Sequence, residues 1–155
     1  MGLELQKYAK ADLEEVYRLF YDTVHSVNRA DYEPEQLDAW APQEMDRSRW
    51  EASLLSHETW VAREGERIVG FGDLGENGYL DRLYVHRDFQ RRGVASAILR
   101  RLEEGARRQD CRRIYTEASI TARPFFERWG YRVVKEQQKP LRGQVFINFI
   151  MEKFF

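Results

Sequence analysis

The residues best suited to chemistry crowd into one run, Leu83-Tyr84-Val85-His86-Arg87-Asp88-Phe89-Gln90-Arg91-Arg92-Gly93-Val94-Ala95-Ser96. Strand formers at Leu83 to Val85 give way to Ala95, Ile98, Leu99, Leu102 and Ala106 at helical spacing, so a helix opens just after Gly93. Unpaired amides at a helix start carry partial positive charge, and a glycine without Cβ lets an anion approach them closely. The run therefore reads as a phosphate cradle. Arg91 and Arg92 add full charges, and hydrogen bonds to charged groups contribute about 1.5–3 kcal/mol each where they form. The spacing matches neither a triphosphate-binding loop nor the three-glycine dinucleotide fingerprint. Away from the cradle, His25 titrates near neutral pH and can act as a base if the end of its helix reaches a cleft. Tyr21 and Asn28 share its ridge and could face a substrate.

The elements that must hold these groups follow from periodicity. Leu3 to Lys7 alternates as a first strand, and Asp12 with Glu15 forms a capping-box-like start to a helix carrying Leu13, Val16, Tyr17, Phe20 and Val24. Two prolines in Arg29 to Gln43 bracket a short helix, and Asp46 caps another through Ser56. Glu58 to Arg63 and Arg67 to Leu74 flank a hairpin signal at Glu64-Gly65-Glu66, and Gly75 to Gly78 turns the chain into Tyr79 to Val85. After the cradle helix, Cys111 to Glu117 returns as a strand in parallel, a short helix runs from about Thr121 to Gly130, and Tyr131 to Gln137 with Gln144 to Lys153 close the chain around Lys139 to Gly143. The expectation is one mixed α/β domain over residues 1–155, with about seven mostly antiparallel strands flanked by helices.

Composition narrows the partners. A hydrophobic share of 43% with 33% charged residues is ordinary for a soluble domain, and no apolar run approaches a bilayer span. The first residues lack a secretory pattern, and a lone cysteine, Cys111, makes no internal disulfide and no zinc site by itself, so a reducing cytoplasm and no metal are expected. A net charge of −1 argues against a general nucleic-acid binder. Arginine pairs at 100–101 and 107–108 interleave with Glu103 and Glu104 and read as a solvated helix face. Val145, Ile147, Phe149 and Met151 alternate against Phe146, Asn148 and Ile150, as if both sheet faces were covered, in part by a second copy of the chain in a homodimer.

Gln90-Arg91-Arg92-Gly93-Val94-Ala95 resembles the Q/R-x-x-G-x-G/A pyrophosphate signature of the GNAT N-acetyltransferases, with Ala95 at its last position. Leu83-x-Val85 before it, the helix and strand after it, and Phe125-Phe126-Glu127-Arg128-Trp129-Gly130-Tyr131 supply the family's surroundings in order. The element order resembles the GNAT fold over nearly the whole chain.

That resemblance implies an acetyl-coenzyme A-dependent N-acetyltransferase acting by direct attack of a small-molecule amine. Cofactor contacts would come from Leu83, Tyr84, Val85, Gln90, Arg91, Arg92, Gly93, Val94, Ala95, Ser96, Ser119 and Phe126. A backbone N–H at Tyr84 or Val85 would meet the thioester oxygen. An alkylamine is only about one part in 2,500 neutral at pH 7, so a base is needed. Asp81, on a strand face shared with Tyr79, Leu83 and Val85, is one candidate, and His25 is the other. The family's acid tyrosine is replaced by Phe126, with Ser119 a weaker substitute, and His25, Asn28, Tyr32 and Trp40 would line the acceptor pocket. Without that tyrosine, a non-catalytic acyl-coenzyme A-binding module stays open, as does transfer to a protein amine. His57 is expected at the surface.

Overall fold

The computed structural model describes residues 2–155. In chain order the strands and α-helices are β1 (Leu3–Lys7), α1 (Leu13–Ser26), α2 (Pro34–Trp40), α3 (Arg47–Ser56), β2 (Glu58–Glu64), β3 (Arg67–Leu74), β4 (Tyr79–Val85), α4 (Val94–Arg108), β5 (Arg113–Ser119), α5 (Arg123–Arg128), β6 (Arg132–Leu141) and β7 (Gln144–Phe154). One seven-stranded sheet runs β1-β2-β3-β4-β5-β7-β6. Every neighbouring pair is antiparallel except β4 and β5, which α4 joins as a crossover.

Helices cover both faces, which is why β3 is apolar almost throughout and buried from Ile68 to Leu74. On one side Ile98, Leu99, Leu102 and Ala106 of α4 pack with Leu80, Ile114, Phe126 and Met151. On the other, Val16, Phe20 and Val24 of α1 meet Leu54, Val61, Phe71 and Phe146. Gly72 lets α4 settle onto β3: a Cβ there would stand 2.9 Å from Ile98 Cγ2 and 3.0 Å from the Arg82 carbonyl oxygen. No helix among the described residues is long and apolar enough to cross a membrane.

Four local expectations are corrected. Asp12 stands at the N-cap of α1 but makes no side-chain bond to the helix amides; its carboxylate accepts from the Ala9 amide and pairs with Arg63, while Glu15 accepts from the Ile68 amide on β3. The final turn is shorter than Lys139 to Gly143. Arg142 and Gly143 alone take positive φ, a two-residue hairpin turn, and Pro140 stays in β6 because that strand is the sheet edge. Glu103 belongs to the core side of α4 instead of a solvated ladder, accepting from Tyr131 Oη at 2.7 Å and Lys153 Nζ at 3.1 Å. On β7 Phe146, Phe149 and Met151 are buried, whereas Val145 and Ile147 are left exposed by this chain.

Candidate functional site

The site begins where two strands part. β4 and β5 pair only at Tyr79 with Tyr115 and Leu80 with Thr116, while β3 keeps pairing with β4 as far as Val85. The His86 amide donates to the Val69 carbonyl on β3, so strand alternation turns the amides of Tyr84 and Arg82 toward β3 as well. Those of Leu83 and Val85 therefore face the gap. The Val85 carbonyl is already engaged by Gln90 Nε2 at 2.6 Å and more loosely by Thr23 Oγ1 at 3.5 Å.

The gap leads to the N-terminal end of α4. Gly93 holds φ +81°, and a Cβ on it would meet only Ser96 Oγ at 3.9 Å, so the space above the first-turn amides is not filled by protein. Arg91 and Arg92 are exposed beside it, Arg92 lying 5.1 Å over the Phe89 ring. His86 shapes the approach by accepting the Asp88 amide at Nδ1. A diphosphate fits this end on geometry and charge together.

Toward the other helices, the same strand walls a cavity of about 290 Å³. Asp73 pairs with Arg82 and Leu74 with Leu80, leaving Asp81 as an extra residue in β4, a β-bulge. The bulge resets the alternation. Leu80, Leu83 and Val85 pack on the α4 side, while Tyr79, Asp81, Arg82 and Tyr84 line the cavity. The expectation that Asp81 shares a face with Leu83 and Val85 is corrected by that one-residue slip. Phe20, Tyr32, Trp40, Trp50 and Phe146 supply aromatic wall, and Glu117, Ser119, Lys139 and Asn148 the remaining polar groups.

Asp73, fully buried, anchors the charges. Arg82 donates to it from Nη2 at 2.6 Å and from Nε at 3.1 Å, and also to Ser53 Oγ, with its guanidinium 4.6 Å over Trp50. His57 Nδ1 stands 2.9 Å from the same carboxylate, whose hydrogen bond pushes the imidazole's pKa up. His57 is half-buried, against the surface position expected of it. Asp81 Oδ2 lies 3.7 Å from Arg82 and 3.8 Å from His57. Desolvation in the cavity, then the Asp73 charge, push the Asp81 carboxyl above the usual carboxylate range. Ligand-type atoms of His57, Asp73 and Asp81 fall within 4.8 Å of one another, with Arg82 supplying the cation among them. Burial raises the Tyr79 and Tyr84 hydroxyls too, keeping both protonated.

Of the residues singled out from sequence, Tyr32, Trp40, Asp81, Tyr84 and Ser119 meet at this cavity. The Tyr84 amide is turned to β3, but its hydroxyl reaches the cavity wall, accepting from Trp40 Nε1 at 3.2 Å. Tyr32 is buried, its hydroxyl donating to the Ile147 carbonyl and accepting from the Ile120 amide. Ser119 Oγ accepts from the Ala122 amide. Phe126 is core, against Phe125 and Tyr131. His25 and Asn28 are not among the lining residues: His25 Nε2 lies 2.9 Å from the Ala41 carbonyl and its ring against Tyr21, and Asn28 is buried in the turn after α1. Sequence reasoning passed over Asp73, Arg82, Glu117 and Asn148. A carboxylate in the apolar run Ile68 to Leu74, and an amide between Phe146 and Phe149, were the signals available.

Residues 28–153 match the family model described as an acetyltransferase (GNAT) domain. Over 150 residues, 97% of this chain and 95% of the relative, the chain is 37% identical to an uncharacterized N-acetyltransferase, YafP, of Escherichia coli K12. A crystal structure of a GCN5-related N-acetyltransferase from Rhodopseudomonas palustris superposes with a TM-score of 0.96 at 27% identity, covering 100% of this chain and 97% of that one. The PaiA N-acetyltransferase of Thermoplasma acidophilum, in complex with coenzyme A, shares the fold at a TM-score of 0.85 and 17% identity, covering 100% of both chains.

Proposed function

Since this chain is an N-acetyltransferase of the GNAT family, we propose that it moves an acetyl group from acetyl-coenzyme A to the amine of a small cationic molecule. One observation carries the reading: the parting of β4 from β5 after Leu80 joins the amide-rich start of α4 to an aromatic cavity that contains Asp81. First-turn amides of α4, with Arg91 and Arg92, would hold the pyrophosphate. The gap-facing amides of Leu83 and Val85 would hold the arm and the thioester oxygen, and losing one such donor typically costs about 2.7–4 kcal/mol in other enzymes. When bound, the donor supplies an electrophilic carbonyl at the cavity mouth.

Asp81 removes a proton from the incoming ammonium, directly or through a water. Its raised pKa brings it nearer to that task than an ordinary carboxylate. Aromatic faces and the carboxylates of Asp81 and Glu117 favour a cation before that transfer. A small acceptor is preferred over a protein amine because the β6–β7 hairpin, which brings Lys139 and Leu141 to the cavity wall, is fastened to α2: Arg142 Nη1 donates to the Ala39 carbonyl at 2.6 Å and Gln36 Nε2 to the Val145 carbonyl at 2.8 Å. A reducing cytoplasm suits the one free cysteine, Cys111.

An amine panel with free-thiol detection tests the proposal, and steady thiol release with at least one small amine is expected. Tight coenzyme A binding with no thiol from any acceptor would instead favour an acyl-coenzyme A-binding module, the reading that the missing hydroxyl at Phe126 keeps in view.

A further inference from the structure

Asp81 has a neighbour that opens away from the acceptor. His57 follows the last residue of α3, where its amide closes that helix by donating to the Ser53 carbonyl at 3.0 Å. Its ring turns toward β3, with Nδ1 2.9 Å from Asp73 Oδ2, and because an ionised carboxylate only accepts, Nδ1 carries a proton. Gly75 leaves the ring its room: a Cβ there would lie 3.1 Å from Nε2 and 3.4 Å from Cε1. The ring borders a second cavity, of about 430 Å³, whose wall also includes Glu58, Glu76 and Tyr115. Tyr79 is common to both cavities. Asp81 and His57 therefore meet across a partition, Oδ2 to Nδ1 at 3.8 Å, with one residue on each side.

Charge balance gives that meeting a purpose. Of the other carboxylates near by, Glu117 on β5 is paired with Lys139, Glu58 on β2 with Arg108, and Glu76 is exposed. That leaves Asp73 and Asp81 with a single permanent cation, Arg82, whose donors already serve Asp73 and Ser53. With a neutral His57 the group would hold one negative charge too many, and Asp81 would take up a proton and cease to be a base. We infer that His57 is a positioning residue for the transfer: an imidazolium fixed on Asp73 that balances the second carboxylate and holds Asp81 in the ionised form able to take the ammonium proton. The inference rests on the reading of Asp81 as the base and deepens it. Because the second cavity gives the ring its own access to solvent, its charge does not depend on what fills the acceptor cavity. The Asp73 hydrogen bond raises the His57 pKa, so the ring is already charged when falling pH begins to protonate Asp81. Desolvation and Asp73 push the Asp81 carboxyl up, and the His57 charge works against them.

His57→Asn retains an N–H for Asp73 and can never be charged. For a small amine that releases thiol, kcat/KM is measured against pH in both proteins, with coenzyme A calorimetry showing that the variant is folded. Losing the cation raises the Asp81 pKa, so the acid limb is expected to move up by about 0.5 pH unit or more, about a threefold loss at acid pH. A limb that stays in place overturns the inference, whatever the variant's overall rate. A second arm needs no turnover. The chain has three histidines, so His25→Gln with His86→Gln leaves His57 as the one imidazole followed by nuclear magnetic resonance. Adding Asp81→Asn should lower its titration midpoint by about 0.5 unit or more, since the coupling is reciprocal. An unmoved midpoint overturns the inference. If no amine releases thiol, the transfer reading fails on its own account, and the imidazole titration alone decides whether His57 holds Asp81 ionised.

Discussion

Asp81 faces opposing demands at the scale of a single residue. The folded protein disfavours its charged form, because the cavity removes water and Asp73 adds a like charge, even with Arg82 and His57 near by. A carboxylate whose pKa rises on folding costs stability once ionised: the protein is relatively best off below the unfolded value and loses ground as pH rises through the folded one. Asp81→Asn is therefore expected to raise the thermal midpoint at neutral pH while lowering kcat for a cationic amine about 100-fold or more. The unaltered protein should lose kcat/KM as pH falls through the raised Asp81 pKa. Melting curves and pH–rate profiles of both proteins check the pair of effects, and a variant of full activity would remove Asp81 as the base. The residue's type was legible in the sequence, but its companions were not. Asp73 and Arg82 belong to facing strands, and their pairing depends on a register that no local pattern encodes.

At the scale of elements, the start of α4 was the most legible part. A change of period and one glycine announced it, and Gly93 does cap the helix at positive φ. Gly93→Trp is expected to cost about 1–2 kcal/mol of stability from the strained backbone and to lower coenzyme A affinity at least tenfold, because the indole occupies open space above the amides. Calorimetry against coenzyme A and a thermal melt separate the two effects; unchanged affinity would show that no phosphate sits there. Strand identities were likewise readable from alternation and turn residues. The start of α1 was readable too, at Asp12, but not the bonds made there: Asp12 and Glu15 have the right types for a capping box and instead find Arg63 and the Ile68 amide, contacts made only once the sheet forms.

For the whole molecule, the cavity depends on segments distant in sequence being held together. Tyr32 is the tie: one hydroxyl joins the approach to α2 with β7 through Ile147 and with the turn after β5 through Ile120. Tyr32→Phe leaves an amide and a carbonyl without that partner and should destabilise the protein by about 2 kcal/mol or more, raising KM for the amine more than it lowers kcat. Denaturant titration and steady-state kinetics read both. The element order was enough to expect a mixed sheet with one parallel pair, but the cavity lining was not deducible, since Phe20, Trp50, Glu117 and Asn148 come from four different elements. His25, chosen for its chemistry, shows the limit of reading residue types alone: its ring lies tilted against Tyr21 and meets the Ala41 carbonyl. The slip in β4 has a last consequence. With Asp81 struck out, Tyr79, Leu80, Arg82, Leu83, Tyr84 and Val85 form an unbroken two-sided sequence, every member already facing the way it does now. The acid is thus a graft upon a strand whose packing is complete without it, so the proposed base and the architecture that displays it are separable parts.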